Sequence, residues 1–204
     1  VLPNYTKIDG CPVFAIFSTD LFVKSFGSEE KALEAMEYMR EEVRKAGFPD
    51  MHYMMMDGGG HLFNEKTKER MDKRVFLKPD SYALYNMGGF DPDYMKHCQT
   101  AADLRADWDE YLDIPMFPTV SIGWDDTPRF PAKGENDVTR FNHSPEAFKN
   151  YLFEAKKYAD ERPDQPKFVM INAWNEWVEG SYLLPDKKYG YTYLEAVRNV
   201  MSEK

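Results

Sequence analysis

The sequence of 204 residues is poor in cysteine and histidine and carries no excess of positive charge. Its two cysteines, Cys11 and Cys98, have no metal-ligand spacing and make no disulfide framework, so we expect two unpaired, buried thiols. A formal net charge of -9 argues against a nucleic-acid partner, because such binding needs clustered Lys and Arg to neutralise phosphates. No apolar run approaches the roughly 20 residues that span a bilayer, so no membrane span is predicted.

Signatures of phosphate and metal binding are also weak. The glycines at 58–60 are not followed by Lys-Ser or Lys-Thr, which favours a flexible turn over a phosphate loop. Asp91–Asp93 has the Asp-x-Asp spacing of a metal-nucleotide site, but a helix cap explains it more simply. His52 and His61 would stand at opposite ends of a strand, too far apart to share a metal ion. We therefore predict no metal and no cofactor.

What the chain does contain is five short apolar runs with the composition of buried strands, each followed by a helical or loop stretch. Their spacing of roughly 30 to 50 residues suits βα units in a parallel sheet. None alternates cleanly between apolar and polar residues, which indicates burial on both faces. The runs are 13–17, 52–56, 82–85, 117–122 and 168–173.

Five βα units are compatible with two α/β folds. They can form an open, doubly wound parallel sheet, or they can be the C-terminal five units of a TIM (β/α)8 barrel. The sequence begins at Val1 without an initiator Met and without the pattern of a signal peptide. We therefore favour the barrel, with residues 1–204 forming a single domain that lacks the first three barrel strands. Its exposed sheet edges would then pair with the missing N-terminal half or with a second copy.

Capping residues predict where helices begin. Ser28, Asp91 and Ser144 each stand where an N-cap is expected, and the last two are followed by Pro. The last helix is expected over 191–201. Its buried face is expected to contain Leu194, Val197 and Met201.

The most informative segment, 172–182, lies where the fifth predicted strand ends and a loop begins. Two carboxylates three residues apart stand there among tryptophans, amides and a tyrosine. Indole rings stack on sugars, amides bind hydroxyls, and two carboxyl groups can divide acid and base roles, so catalysis or sugar binding is favoured over a packed loop with one salt bridge. The candidate residues are Asn172, Trp174, Asn175, Glu176, Trp177, Glu179 and Tyr182.

Polar residues also follow the other four predicted strands, at 18–20, 57–61, 86–89 and 123–129. If all five strands are parallel, these segments lie on one rim with the two glutamates, as TIM-barrel sites do. Trp124 is well placed to form the floor of a sugar subsite. Asp125 and Arg129 either form an ion pair that stabilises a turn or bind substrate. Asp57 is a further candidate for substrate binding.

The run Asn175–Gly180 resembles the Asn-Glu-Trp-x-Glu-Gly signature of glycoside hydrolase family 99, the endo-α-mannosidases and endo-α-mannanases. With 172–174 before it, 182–190 after it and 124–129 upstream, the chain is still more similar to the WbsX-like group, often labelled glycosyltransferases. The resemblance implies a (β/α)8 barrel with this motif after the last strand. Val178 stands where the hydrolases commonly have His.

The resemblance also implies roles for the two acids. In the hydrolases the first motif glutamate is a base on the sugar 2-hydroxyl, giving an anhydrosugar with retention, and the second is the general acid/base. Glu176 would then be the base and Glu179 the acid/base. Such chemistry needs one carboxyl protonated while its neighbour stays ionised.

Three functions are therefore considered. The first is a retaining glycoside hydrolase acting on an α-linked glycan, of mannan type or a surface polysaccharide, without a cofactor. The second is a glycosyltransferase of polysaccharide biosynthesis, and the third is a non-catalytic glycan-binding module. A hydrolase would be expected in the periplasm or outside the cell and a transferase in the cytoplasm, and the sequence alone leaves this open.

Overall fold

The structure is a computed structural model that describes residues 2–57, 62–88, 91–125, 127–129 and 142–202. Within these ranges the chain forms short strands and six longer helices. The strands are β1 (Lys7–Ile8), β2 (Cys11–Ile16), β3 (His52–Asp57), β4 (Ser81–Leu84), β5 (Met116–Phe117), β6 (Thr119–Ser121), β7 (Met170–Asn172), β8 (Asn175–Glu176) and β9 (Ser181–Tyr182). The helices are α1 (Thr19–Phe26), α2 (Glu29–Lys45), α3 (Glu65–Asp72), α4 (Tyr94–Tyr111), α5 (Pro145–Asp160) and α6 (Thr192–Ser202).

All five predicted strands are present, and they are parallel. Strands β2, β3, β4 and β5 pair in that order, and β1 adds an antiparallel edge to β2. The fourth predicted strand is divided at Pro118, which has no N–H to give to a ladder. Before it β5 pairs with β4, and after it β6 pairs with β7. The Pro118 carbonyl accepts a hydrogen bond from the Met170 amide at 2.9 Å, so the two ladders continue each other.

The sheet is curled into half of a barrel, and its central strands β3 and β4 are buried on both faces. Side chains alternate along β3, so Met54 lies in an inner cluster with Ala83 and Phe117, whereas Tyr53 and Met55 pack outward against the helices. Two further clusters of buried apolar side chains fill the space between the helices and the outer face of the sheet. This two-sided burial explains why the strands lack an alternating pattern in sequence.

Two of the predicted helix starts are confirmed and one is wrong. The Ser28 hydroxyl accepts a hydrogen bond from an amide of the first turn of α2, and Ser144 does the same for α5, which has Pro145 as its first residue. Helix α4 is capped by Asp93, not by Asp91. The carboxylate of Asp91 instead accepts a hydrogen bond from the Asp93 amide at 2.9 Å and orients the true cap.

The expected buried face of α6 is also wrong by about one residue. Tyr193, Ala196 and Val200 are buried, while Met201 is 41% exposed. The ring of Tyr193 packs edge-on against Phe148 at 5.4 Å, which turns this face toward α5.

Both cysteines are free, as predicted, but they differ in burial. Cys98 is buried in α4, whereas Cys11 is only half-buried because it lies at the edge of the sheet where β1 turns into β2. None of the helices in the described ranges has both the length and the apolar composition to cross a bilayer.

Candidate functional site

The carboxyl ends of the strands meet at Glu179. Arg129, in the loop after β6, donates a hydrogen bond from Nη1 to Oε1 of Glu179 at 2.9 Å. Tyr85, directly after β4, donates from its hydroxyl to the other oxygen, Oε2, at 3.2 Å. Phe17, directly after β2, packs edge-on against the Tyr85 ring at 5.0 Å. Residues that directly follow four of the five parallel strands are thus in contact.

Of the predicted rim segments, 123–129 reaches Glu179 through Arg129, whereas the contacts after β2 and β4 come from Phe17 and Tyr85 and not from 18–20 or 86–89. The carboxylate of Asp20 pairs instead with Arg74.

The segment after β7 folds into a small hairpin. Strand β8 pairs with β9 in antiparallel fashion, and a 3-10 turn, Trp177–Glu179, joins them. The turn closes at Gly180, whose amide donates to the Trp177 carbonyl at 3.2 Å. The Asn172–Ala173 peptide bond ahead of this hairpin is cis. Glu176 and Glu179 therefore stand at the two ends of one turn.

Gly180 allows the turn to lie against the loop after β6. Its φ is +59°, in the left-handed region, and a Cβ there would lie 2.9 Å from the Asp125 Cβ and 3.0 Å from the Asp125 amide nitrogen. The Asp125 amide donates to the Glu179 carbonyl at 2.7 Å. Backbone contacts thus fix the position of Glu179 relative to the loop that carries Arg129.

The carboxylate of Glu179 is held in an environment of donors. The residue is 7% exposed, and its two oxygens each accept one hydrogen bond, from Arg129 and from Tyr85. The Arg129 side chain is 41% exposed, so the ion pair stands at the boundary between protein and solvent. One oxygen thus accepts from a cation and the other from a phenol.

Glu176 differs from Glu179 in its surroundings. It is half-buried, and no hydrogen bond to its carboxylate is found among the described residues. It is nevertheless close to the same phenol. Burial, followed by the charges of Glu179 and Glu176, raises the pKa of Tyr85 to about 12. Tyr85 therefore keeps its proton at neutral pH and remains a donor to Glu179.

Tyr85 was not among the residues predicted for the site. It is the last residue of the third predicted strand, and it lies two residues after Ala83, which belongs to the inner cluster. Residues two apart on a strand point to the same face, so Tyr85 stands over the inner side of the half-barrel. A polar ring at the carboxyl end of a buried strand was the signal that could have identified it.

Three tryptophans belong to the segments that carry Glu176, Glu179 and Arg129. Trp174 and Trp177 are 56% and 47% exposed, which is unusual for so large an apolar side chain. The Trp177 ring lies against Tyr182, with ring centroids 4.1 Å apart and planes tilted by 33°. Trp124 is half-buried on the neighbouring loop. Exposed ring faces beside carboxylates are surfaces on which sugar rings can stack.

The two amides predicted to bind substrate are placed differently. Asn175 is exposed in β8. Asn172 is only 2% exposed, and its Oδ1 accepts a hydrogen bond from the Ser181 hydroxyl at 2.9 Å. Asn172, the last residue of β7, is thus buried under the hairpin residue Ser181 and does not face solvent.

Asp125 and Arg129 do not pair with each other. Oδ1 of Asp125 accepts hydrogen bonds from the amide and the hydroxyl of Thr127, at 3.0 and 2.6 Å, and so pins the turn. Arg129 is left to pair with Glu179. Asp57 ends β3, and its side chain lies outside the described residues, as do the predicted glycine turn 58–60 and the nearby His61.

A histidine lies behind the hairpin. Nδ1 of His143 is 3.2 Å from the Tyr193 hydroxyl, and the ring fills the space beside Gly123. Burial, assisted by the charge of Lys188, lowers the pKa of His143, against the weaker opposing effect of Asp125 and Asp186. In the described part of the chain, no three His, Cys, Asp or Glu side chains lie close enough to hold a metal ion.

The fold has a counterpart among solved structures. A chain titled "Glycoside hydrolase-like protein" superposes with a TM-score of 0.68 over 98% of this chain and 57% of its own length, at 18% sequence identity. At that identity the likeness concerns the fold. It confirms the C-terminal units of a TIM barrel over the doubly wound sheet.

Sequence relatives are found in two strains of Xanthomonas campestris pv. campestris. Each is described as "Uncharacterized protein WxcX". One is 32% identical over 114 residues, covering 54% of this chain and 16% of the relative, and the other is 35% identical over 91 residues, covering 44% and 13%. The chain therefore matches a minor part of these longer proteins.

A family model described as "Glycosyltransferase WbsX" matches residues 3–197. The match runs from the edge of the sheet to the last helix and includes every described residue of the site around Glu179. With nearly the whole chain covered, and with a fold and a glutamate hairpin suited to glycans, the chain belongs to the WbsX glycosyltransferase family.

Proposed function

We propose that this chain carries the acid–base residues of a retaining glycoside hydrolase that acts on an α-linked glycan, of mannan type or a surface polysaccharide. The observation that carries the proposal is the pair Glu176 and Glu179, at two ends of one turn and in different environments, in a segment with two exposed tryptophans. Two carboxyl groups in unlike surroundings can hold different protonation states, which glycoside cleavage requires.

Glu176 is the better placed of the two to act on the sugar itself. It is half-buried, and its carboxylate has no hydrogen-bond partner within the described ranges, so it can accept a hydrogen bond from a sugar hydroxyl. As the base it removes the proton of the 2-hydroxyl, whose oxygen then bonds to C1 while the glycosidic bond breaks. The anhydrosugar so formed keeps the leaving oxygen and the incoming water on one face of the ring, which gives retention.

Glu179 supplies and recovers the other proton. As the acid/base it protonates the leaving oxygen in the first step and takes a proton from water in the second, while Glu176 returns its proton to O2. Because Arg129 donates to Oε1, this contact must open before that oxygen can carry a proton. The half-exposed guanidinium has room to move away, whereas the Tyr85 contact to Oε2 can persist through both steps.

The exposed rings of Trp174 and Trp177 supply the binding surface. They offer apolar faces to pyranose rings, and the exposed amide of Asn175 adds a hydrogen-bonding group beside them. Val178 is 43% exposed at the position where the hydrolases commonly have His. A methyl-bearing side chain there cannot hydrogen-bond a hydroxyl, so we expect a glycan that differs from theirs at this contact.

The direct test is product analysis on α-mannans and bacterial surface polysaccharides, with proton NMR following the anomeric signal of the first product. Retention of configuration, with loss of product formation in Glu176→Gln and in Glu179→Gln, is expected. Inversion, or unchanged turnover in either variant, would overturn the assignment of roles.

A second function, transfer of a sugar in polysaccharide biosynthesis, is favoured by the name of the matched family. A transferase that uses sugar nucleotides must bind and consume them. Calorimetric titration with a panel of nucleoside-diphosphate sugars distinguishes the two proposals. Binding heat together with release of the nucleotide in the presence of an acceptor glycan would favour the transferase, and hydrolysis of glycan without any nucleotide would favour the hydrolase.

A further inference from the structure

One buried donor in the site has no described partner. Nδ2 of Asn172 is buried and makes no hydrogen bond to any residue in the described ranges. The rest of this side chain is held firmly, since the Ser181 hydroxyl donates to the Asn172 carbonyl at 2.7 Å and to its Oδ1 at 2.9 Å. Ser181 is itself 0% exposed. A buried amide with an unused N–H is costly, so what it faces is informative.

The neighbour that Nδ2 can reach is the Tyr85 hydroxyl. Asn172 is close enough to this hydroxyl to lower the pKa of the phenol, against the larger effects of burial and of the two glutamates, although the contact lies outside ordinary hydrogen-bond geometry. Tyr85 directs its own proton to Oε2 of Glu179, so its oxygen presents lone pairs to the amide. An N–H matches those lone pairs and a carbonyl oxygen would be repelled by them. This supports the amide orientation in which Oδ1 points to Ser181.

We propose that Asn172, oriented by Ser181, is a positioning residue that acts through Tyr85 on Glu179. The Asn172 N–H occupies the acceptor side of the Tyr85 oxygen, which leaves the phenol proton a single direction, toward Oε2 of Glu179. The line of donors runs from Ser181 to Asn172 to Tyr85 and ends on the carboxylate. This inference rests on the proposed catalytic role of Glu179, although the hydrogen bonds themselves can be tested without substrate.

The first experiment uses no glycan. In protein labelled with nitrogen-15 at asparagine, the side-chain NH2 protons of Asn172 are expected to exchange slowly with solvent, and Tyr85→Phe is expected to accelerate the exchange of one of them by about tenfold or more. Ser181→Ala should weaken the same signal. If Tyr85→Phe leaves the NH2 protons unchanged while Ser181→Ala alone shifts them, the amide points the other way and the proposal is overturned.

The second experiment is a double-mutant cycle. Asn172→Leu removes the donor at nearly constant volume, and its expected effect is a loss of about tenfold in kcat with little change in KM. In a Tyr85→Phe background the same substitution should cost less than about twofold, because there is no hydroxyl left to position. Equal losses in both backgrounds would mean that Asn172 acts on packing alone and would overturn the proposal. Asn199→Ala, on the exposed side of α6, is the matched control.

Misfolding of the variant and failure of the hydrolase proposal can each be distinguished from failure of the Asn172 proposal. If Asn172→Leu does not fold, Asn172→Asp replaces it, since it keeps the shape and the contact to Ser181 but lacks the N–H. If the wild type cleaves no glycan, the hydrolase proposal fails, and the exchange measurement still decides whether the line of hydrogen bonds exists.

Discussion

Glu176 and Glu179 stand three residues apart on one turn, yet their environments differ. Glu176 is half-buried and its carboxylate has no described hydrogen-bond partner, whereas Glu179 is buried and held by Arg129 and Tyr85. The two partners come from loops 50 and 94 residues earlier in the chain. The difference between the two acids is therefore a product of the curled sheet, which brings distant strand ends together, and not of the hairpin alone.

The largest expected effect comes from removing either charge. Glu176→Gln and Glu179→Gln should each reduce turnover on the order of 10²–10⁴-fold, because a positioned acid or base contributes that much, while binding of the glycan is nearly retained. Steady-state rates and calorimetric binding check this. Glu195→Gln, on the exposed side of α6, is the control and should be indistinguishable from wild type. Near-normal turnover in either active-site variant would contradict the assignment.

Removing the cation beside Glu179 should make the surroundings of the two acids more alike. Arg129→Met deletes the hydrogen bond from Nη1 to Oε1 of Glu179, so this carboxylate keeps only the Tyr85 contact among the described residues. We expect kcat to fall by about tenfold with KM changed by less than about twofold, as measured by steady-state kinetics. Arg198→Met, which replaces an exposed arginine of α6, should be indistinguishable from wild type. An unchanged kcat in Arg129→Met would contradict a role for this ion pair.

Gly180 tests whether the backbone also holds Glu179 in place. Gly180→Ala combines left-handed strain with a Cβ 3.0 Å from the Asp125 amide nitrogen, so we expect a loss of about 2–4 kcal/mol in the free energy of unfolding. Gly190 has a similar φ of +54° and no atom within 4 Å of such a Cβ. Gly190→Ala should therefore cost only the strain, about 1–2 kcal/mol. Urea unfolding measures both, and equal losses would contradict the close approach.

The smallest expected effect is a pH dependence of stability from His143. Its pKa in the folded protein is below the ordinary value of 6.5, so the unfolded chain binds more protons below that pH. This contribution to stability is complete above pH 6.5 and is lost as the pH falls through the folded pKa. In urea unfolding, the free energy of unfolding of His143→Gln should fall less steeply with decreasing pH than that of the wild type. Part of the pH dependence should remain, because burial also lowers the pKa of His52. An identical pH dependence in the two proteins would contradict this.

The positions of the five parallel strands along the chain could be predicted because each strand is a short apolar run. Glu179 could be placed at the carboxyl-terminal rim of the sheet because it follows the last of these runs. What could not be predicted were contacts that depend on how far the sheet curls. From the sequence, Tyr85 is the end of a strand and Asn172 is part of an exposed motif. In the folded chain Tyr85 stands above the inner cluster, and Asn172 is buried.

The two remaining errors, in the cap of α4 and the buried face of α6, arise where neighbouring residues are about equally suited to one position. Asp91 and Asp93 are equally suitable caps by composition, and only the turn that Asp91 forms with the Asp93 amide decides between them. The face of α6 was shifted because Tyr193, a large amphipathic ring, displaced Met201 from the buried side.

The division of labour between the two acids is tested most directly by varying the leaving group. Aryl glycosides of the sugar that the wild type cleaves are compared in the first turnover, with dinitrophenol as a leaving group that needs no proton and a simple alkyl phenol as one that does. We expect Glu179→Gln to cleave the dinitrophenyl glycoside at close to the wild-type rate and to fail on the alkylphenyl glycoside, whereas Glu176→Gln fails on both. Equal losses on both substrates in Glu179→Gln, or the reverse pattern in the two variants, would contradict the account.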